Sequence, residues 1–103
     1  MESRLDEREQ QARVLAMRGD WGEQALHVNG AILLIDIRSV PALNRLARCN
    51  REAGRWDQAR SVYMNVLEID PRNRTAIGGF ERCIDARIAE HFSDPAHLHA
   101  PRG

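Results

Sequence analysis

The sequence predicts an all-α fold of antiparallel helix-turn-helix repeats, a superhelical stack of about five helices, and three observations carry that reading. The chain resembles itself at an offset of 34 residues: Ala25 falls on Ala59, Leu33 on Leu67, Ile35 on Ile69, Asp36 on Asp70, Arg38 on Arg72, Ala42 on Ala76, Leu43 on Ile77, Arg48 on Arg82 and Cys49 on Cys83. Self-similarity at such a period is the mark of stacked supersecondary units, because one unit alone cannot bury its apolar face. Apolar residues recur at three- and four-residue spacing, which places them on one side of a helix. No segment alternates with the period of two, or carries the β-branched density, that a strand requires.

The first helix is expected over about residues 3–18, with Gly19-Asp20 supplying the turn that ends it. A second, over about 21–36, places Ala25, Val28, Ile32 and Ile35 on its apolar side. Gly22 and Gly30 fall within it, each costing about 1 kcal/mol against alanine, so it is expected to be the softest helix. The third begins near Pro41, a residue tolerated in a first turn, with Ser39 as its cap, and ends at Gly54. The fourth spans about 56–69 and stops at Asp70-Pro71. The fifth begins near Arg74 and carries Ile77, Phe80, Ile84 and Ile88 as a single stripe. Ser93-Asp94-Pro95 breaks that pattern, so residues 1–92 read as the helical domain and 93–103 as a tail.

Composition narrows the function. With 103 residues, 43% hydrophobic and 29% charged, the chain suits one folded domain with one core. Aromatics contribute only 5%, leaving aliphatic residues and alanine to fill that core. Fifteen basic residues balance fifteen acidic ones. A nucleic-acid partner is therefore not expected, since phosphate neutralisation demands a basic surplus. All fifteen basic residues are arginine, which fits either GC-rich coding or selection for bidentate carboxylate recognition. The longest apolar run, residues 31–35, is too short to cross a bilayer, and no membrane association is expected. No basic segment leads into an apolar stretch near the start, so the expected compartment is the cytoplasm. Cys49 and Cys83 are too few for a disulfide framework.

Residues 40–73 resemble a tetratricopeptide repeat, whose pattern places a large residue, then leucine, a small residue and tyrosine in one helix, and alanine and an aromatic in the next. Here it reads Leu43, Leu46, Ala47, Asn50, then Gly54, then Ala59, Tyr63 and Pro71, with Asn50 departing from the tyrosine slot. The repeat over about 5–39 is similar but degenerate: Ala25 keeps its slot, Asn29 replaces the aromatic and Ile37 replaces the proline. Gly19 aligns with Gly54 at an offset of 35, so one extra residue lies in the first turn, near Gly22. In that register Ala12 takes the small slot and Leu15 the tyrosine slot. Residues 74–91 look like the first helix of a third repeat, used as a cap. The resemblance implies a concave groove, lined by the first helix of each repeat, that binds a peptide or a partner segment.

In these registers Arg13, Arg48 and Arg82 share a slot on three successive groove-lining helices, and Asn44 and Arg51 lie on the same face. A row of guanidinium groups suits an acidic segment through bidentate, charge-assisted bonds. The competing expectation is that each arginine pairs along its own helix, Arg13 with Glu9, Arg48 with Glu52 and Arg82 with Asp85. The family's subclass that grips acidic chaperone tails is not matched, because Arg45, Thr75 and Gly79 stand where it would have asparagine, lysine and arginine.

Cys49 and Cys83, sharing a slot on adjacent helices, read as small buried side chains. His91, His97, His99 and Asp94 have metal-ligand chemistry but no rigid element beneath them, so no metal is expected. Trp21 and Trp56 read as packing residues at turns, with Trp21 the alternative anchor for a partner. Gly78-Gly79 is only a doublet, and no phosphate loop, nucleophile elbow or zinc helix motif is present. The expected function is thus an interaction module, without cofactor or enzymatic activity, that grips a peptide or an acidic partner segment. The alternative is a self-associating scaffold, with Leu34 or Ile37 seeding a homodimer.

Overall fold

The structure, a computed structural model, describes residues 3–93. These form five α-helices, α1 (Arg4–Met17), α2 (Glu23–Ile35), α3 (Val40–Glu52), α4 (Trp56–Ile69) and α5 (Arg74–Ser93), with no strand among the described residues. Each helix packs on the next in sequence, and α3 also touches both α1 and α5. No comparable contact joins α2 to α4. The odd-numbered helices therefore crowd together while the even-numbered ones splay, which curves the stack and puts α1, α3 and α5 on its inner side.

The turns repeat at atomic level. Asp36 and Asp70 end α2 and α4 with the same extended backbone, φ −134° and −139° and ψ 92° and 91°. In both, the cap N–H donates back into the helix, to the carbonyls of Ile32 and Val66. Each aspartate Oδ1 then accepts from the N–H two residues on, Arg38 in one turn and Arg72 in the other. Ser39 and Asn73 follow as caps, their side-chain oxygens accepting from the N–H of Ala42 and Ala76.

Gly19 and Gly54 both adopt positive φ, 67° and 76°, in turns that return the chain within a pair. Only glycine takes up that conformation without steric cost. The first turn is the longer one: residues 20–22 separate Gly19 from α2, and there the Gly22 N–H donates to Asp20 Oδ1 at 3.1 Å, whereas Arg55 alone separates Gly54 from α4.

Two apolar clusters hold the stack. Ala12, Leu15, Ala25, Val28, Ile32, Ala42 and Cys49 form the first, and Leu43, Ala47, Ala59, Tyr63, Val66, Ala76 and Cys83 the second. Alanines at 12, 25, 42, 47, 59 and 76 are almost wholly buried, so the helices approach as closely as small side chains allow. Two expectations are corrected. Ile35 is 56% exposed, because α2 ends there and its buried side runs through Val28, Asn29 and Ile32 instead. On α5 the buried line is Ala76, Gly79 and Cys83, which turns Ile77 and Ile88 outward. Residues 94–103, with His97 and His99, lie outside the described residues.

Candidate functional site: an arginine-lined cleft

The two interfaces between successive units solve one packing problem with different chemistry. Between α4 and α5, the ring of Tyr63 lies flat against the backbone of Gly79: a Cβ at Gly79 would sit 2.2 Å from the ring. Thirty-four residues earlier those slots hold Asn29 and Arg45. Asn29 is fully buried; its Nδ2 donates to the Ala25 carbonyl and its Oδ1 accepts from Arg45 Nε at 2.8 Å. Arg45 Nη2 continues to Glu9 Oε1, tying α1 to α3. An aromatic facing a glycine has been exchanged for an asparagine facing an arginine, with every buried polar group of the bridge supplied with a partner. Asn50, in the tyrosine slot of α3, is treated likewise: its Nδ2 donates to the Leu46 carbonyl and its Oδ1 accepts from Arg55 Nε.

On the inner side, α3 and α5 enclose a cleft of about 250 Å³. It gathers Asn44, Arg48, Arg51 and Arg82 from among the five residues singled out in the sequence. Arg13 does not join them. It bonds Glu9 at 3.0 Å, one turn below on its own helix, and lines a separate hollow with Asp6, Glu9 and Gln10. The structure adds Arg45, Arg74, Thr75, Trp21 and a Tyr63–Gly79 floor. Arg45 carried a signal in the sequence, since the 34-residue register sets an arginine there against a glycine at 79. Arg74 lies outside the repeated slots and enters through the first turn of α5.

The charge in the cleft is unevenly compensated. Arg48 pairs with Glu52 at 2.7 Å and lies over the Trp21 ring, 5.0 Å from its centroid. Arg45 is held by Glu9 and Asn29. Arg51, Arg74 and Arg82 have no carboxylate within 4.0 Å among the described residues, so the Arg82–Asp85 pair does not form. Arg51 is only 9% exposed, and its one hydrogen bond there is a long one, 3.5 Å, from Nη1 to the Tyr63 hydroxyl. A guanidinium remains charged in a protein and presents five donors, so a buried one with so few acceptors is poised for an anion. Asn44 Nδ2 donates to Asn73 Oδ1, while its own buried Oδ1 has no partner among the described residues.

The other candidates are structural. Trp56 Nε1 donates to Glu90 Oε1 at 2.8 Å, fastening α4 to α5. Cys49 and Cys83 lie in different apolar clusters, and burial pushes both thiols up from their ordinary pKa. Burial also raises the Tyr63 phenol, with Arg51 opposing it. No cluster of three metal-ligating side chains occurs among the described residues, and no helix there is long and apolar enough to cross a membrane. No family model matches the chain, and neither a curated protein nor a solved structure does.

Proposed function

We propose that this chain is an interaction module of the tetratricopeptide type that holds an acidic, extended segment of another protein in the cleft between α3 and α5. The observation that carries the reading is the set of arginines at 51, 74 and 82, which line one concave surface without carboxylate partners among the described residues. The turn hydrogen bonds that recur at 34 residues support the family assignment. Arginine and asparagine bind and orient anions, and guanidinium groups do not exchange protons near neutral pH, so the cleft reads as a binding surface and not a catalytic one. A cytoplasmic setting accords with two buried, unpaired cysteines.

A pull-down from native lysate, comparing wild type with Arg48→Glu/Arg82→Glu, tests this. Capture of a partner by wild type alone, with equal helicity in both proteins, is the expected result; equal capture by both would remove the cleft from the interaction. A second reading, self-association, is favoured by Leu34 and Ile37, 90% and 78% exposed at one corner beside Ile35. Sedimentation equilibrium of wild type and Leu34→Asp/Ile37→Asp separates the two, because a dimer seeded there dissociates in the variant.

A further inference from the structure

We infer that the anion recognised in this cleft is a phosphomonoester, carried as a phosphorylated serine or threonine on the partner segment. The inference rests on the groove reading above and specifies what the groove selects. Two of the five cleft arginines already have carboxylate partners, Arg45 in Glu9, which it shares with Arg13, and Arg48 in Glu52. The remaining three, at 51, 74 and 82, give the cleft an excess of three positive charges among the described residues. One glutamate or aspartate side chain brings a single charge and two oxygens, and would leave most of that excess unanswered. A phosphorylated side chain brings about −1.5 to −2 charges and three strong acceptor oxygens, matched to planar guanidinium forks.

The geometry separates these arginines by role. Arg51 is nine-tenths buried at the floor, its Nη1 3.5 Å from the Tyr63 hydroxyl, so its burial restricts it before any ligand arrives. Arg74 and Arg82 are exposed on α5, neither with a carboxylate within 4.0 Å among the described residues. They stand eight residues apart, and Thr75 and Gly78 line the cleft between them. No atom lies within 4 Å of where a Gly78 side chain would begin, so there is room for a ligand to approach that helix closely. At the far rim, Trp21 under Arg48 supplies an apolar wall for residues flanking the modified one. A free anion has no use for that wall, which is why the occupant is placed on a peptide.

The test uses the full chain and three resin-bound degenerate peptide libraries, alike except for a fixed central phosphoserine, glutamate or serine. The expected result is at least about tenfold tighter binding to the phosphoserine library than to the glutamate library, the scale of one charge-assisted contact. Millimolar inorganic phosphate should compete. Arg74→Gln and Arg82→Gln, both at exposed positions, should each remove about tenfold of that binding with unchanged circular dichroism; Arg51 is avoided because its burial makes misfolding a confounding result. Equal or tighter binding to the glutamate library overturns the phosphoryl inference and leaves the acidic-groove reading standing. Binding to neither charged library above the serine control overturns both. Phosphoserine binding that survives Arg74→Gln/Arg82→Gln places the phosphate elsewhere and overturns the site.

Discussion

The adjacent glycines 78 and 79 lie in the same helix and should respond in opposite directions to the same substitution. At Gly79 an added Cβ would fall 2.2 Å from Tyr63 Cζ and 2.5 Å from both Cε atoms. Tyr63 is 1% exposed and enclosed by the second cluster, so its ring has nowhere to retreat. Overpacking a filled core costs about 1–3 kcal/mol, and so close an approach belongs at the top of that range. Replacing glycine by alanine inside a helix returns about 1 kcal/mol. Gly79→Ala should therefore lose about 2 kcal/mol, which for a domain near this size lowers the melting temperature by roughly 8–16 °C. At Gly78 nothing lies within 4 Å, so Gly78→Ala should keep the propensity gain and melt higher than wild type. Thermal melts followed at 222 nm measure both. In a Tyr63→Leu background the Gly79→Ala penalty should shrink or change sign, which attributes it to the ring and not to the helix. A Gly79→Ala protein as stable as wild type would refute the seating of Tyr63 on this backbone.

Two other consequences follow from buried polar groups. Arg45→Met leaves the buried Asn29 Oδ1 without its partner, while Glu9 keeps Arg13, and the unmatched acceptor should cost about 1–3 kcal/mol in urea denaturation; a smaller loss for Arg45→Met in an Asn29→Leu background would localise the cost to that bridge. On the alkaline side, the chain has no lysine, and arginine does not titrate, so its two cysteines and single tyrosine dominate side-chain ionisation there. Burial holds all three above their ordinary values of 9.0 for the thiols and 10.0 for the phenol, so the unfolded chain loses these protons first. Their contribution is complete below about pH 9 and declines as pH rises through the folded values, and Cys49→Ala or Tyr63→Phe should flatten that decline.

The fold was legible because its signals are local. Gly19, Gly54, Ser39 and Asp70-Pro71 punctuate the helices through their own backbone preferences, and the 34-residue register aligned slots that prove equally buried, such as Ala25 with Ala59 and Cys49 with Cys83. The helical period also marked Ile35, Ile77 and Ile88 as inward-facing, and there it failed. Which part of a broad apolar stripe is covered depends on where the neighbouring helix sits, and on α5 that neighbour selects the smallest residues, Ala76, Gly79 and Cys83, for closest approach. Most of the cleft was legible from one face of α3 together with Arg82. Arg74 was not, since it enters from a helix terminus, and for Arg45 the repeat register marked the position but not its partner, Glu9 on another helix.

The separation of Arg13 from the cleft has a cause in the register that relates the odd-numbered helices. One turn before the shared arginine slot, α1 has Glu9, α3 has Asn44 and α5 has Gly78. Arg13 thus meets a carboxylate on its own helix, Arg48 turns forward to Glu52, and Arg82 has no carboxylate within 4.0 Å among the described residues. The position one turn before the arginine goes from carboxylate to amide to no side chain along the stack, and of the three arginines Arg82 alone is left without an ion pair among the described residues. Restoring the missing charge is then a direct test of the binding reading. Gly78→Glu places a carboxylate four residues before Arg82, where a glutamate-to-arginine pair stabilises a helix by about 0.2–0.5 kcal/mol. Nothing lies within 4 Å of where a Cβ at Gly78 would sit and the position borders the open cleft, so the variant should fold at least as well as wild type. It should nevertheless bind the anionic ligand about tenfold more weakly, because the protein now supplies its own acid in the cleft. A Gly78→Glu protein that folds and binds at wild-type strength would show that the unpaired arginines are not what holds the partner.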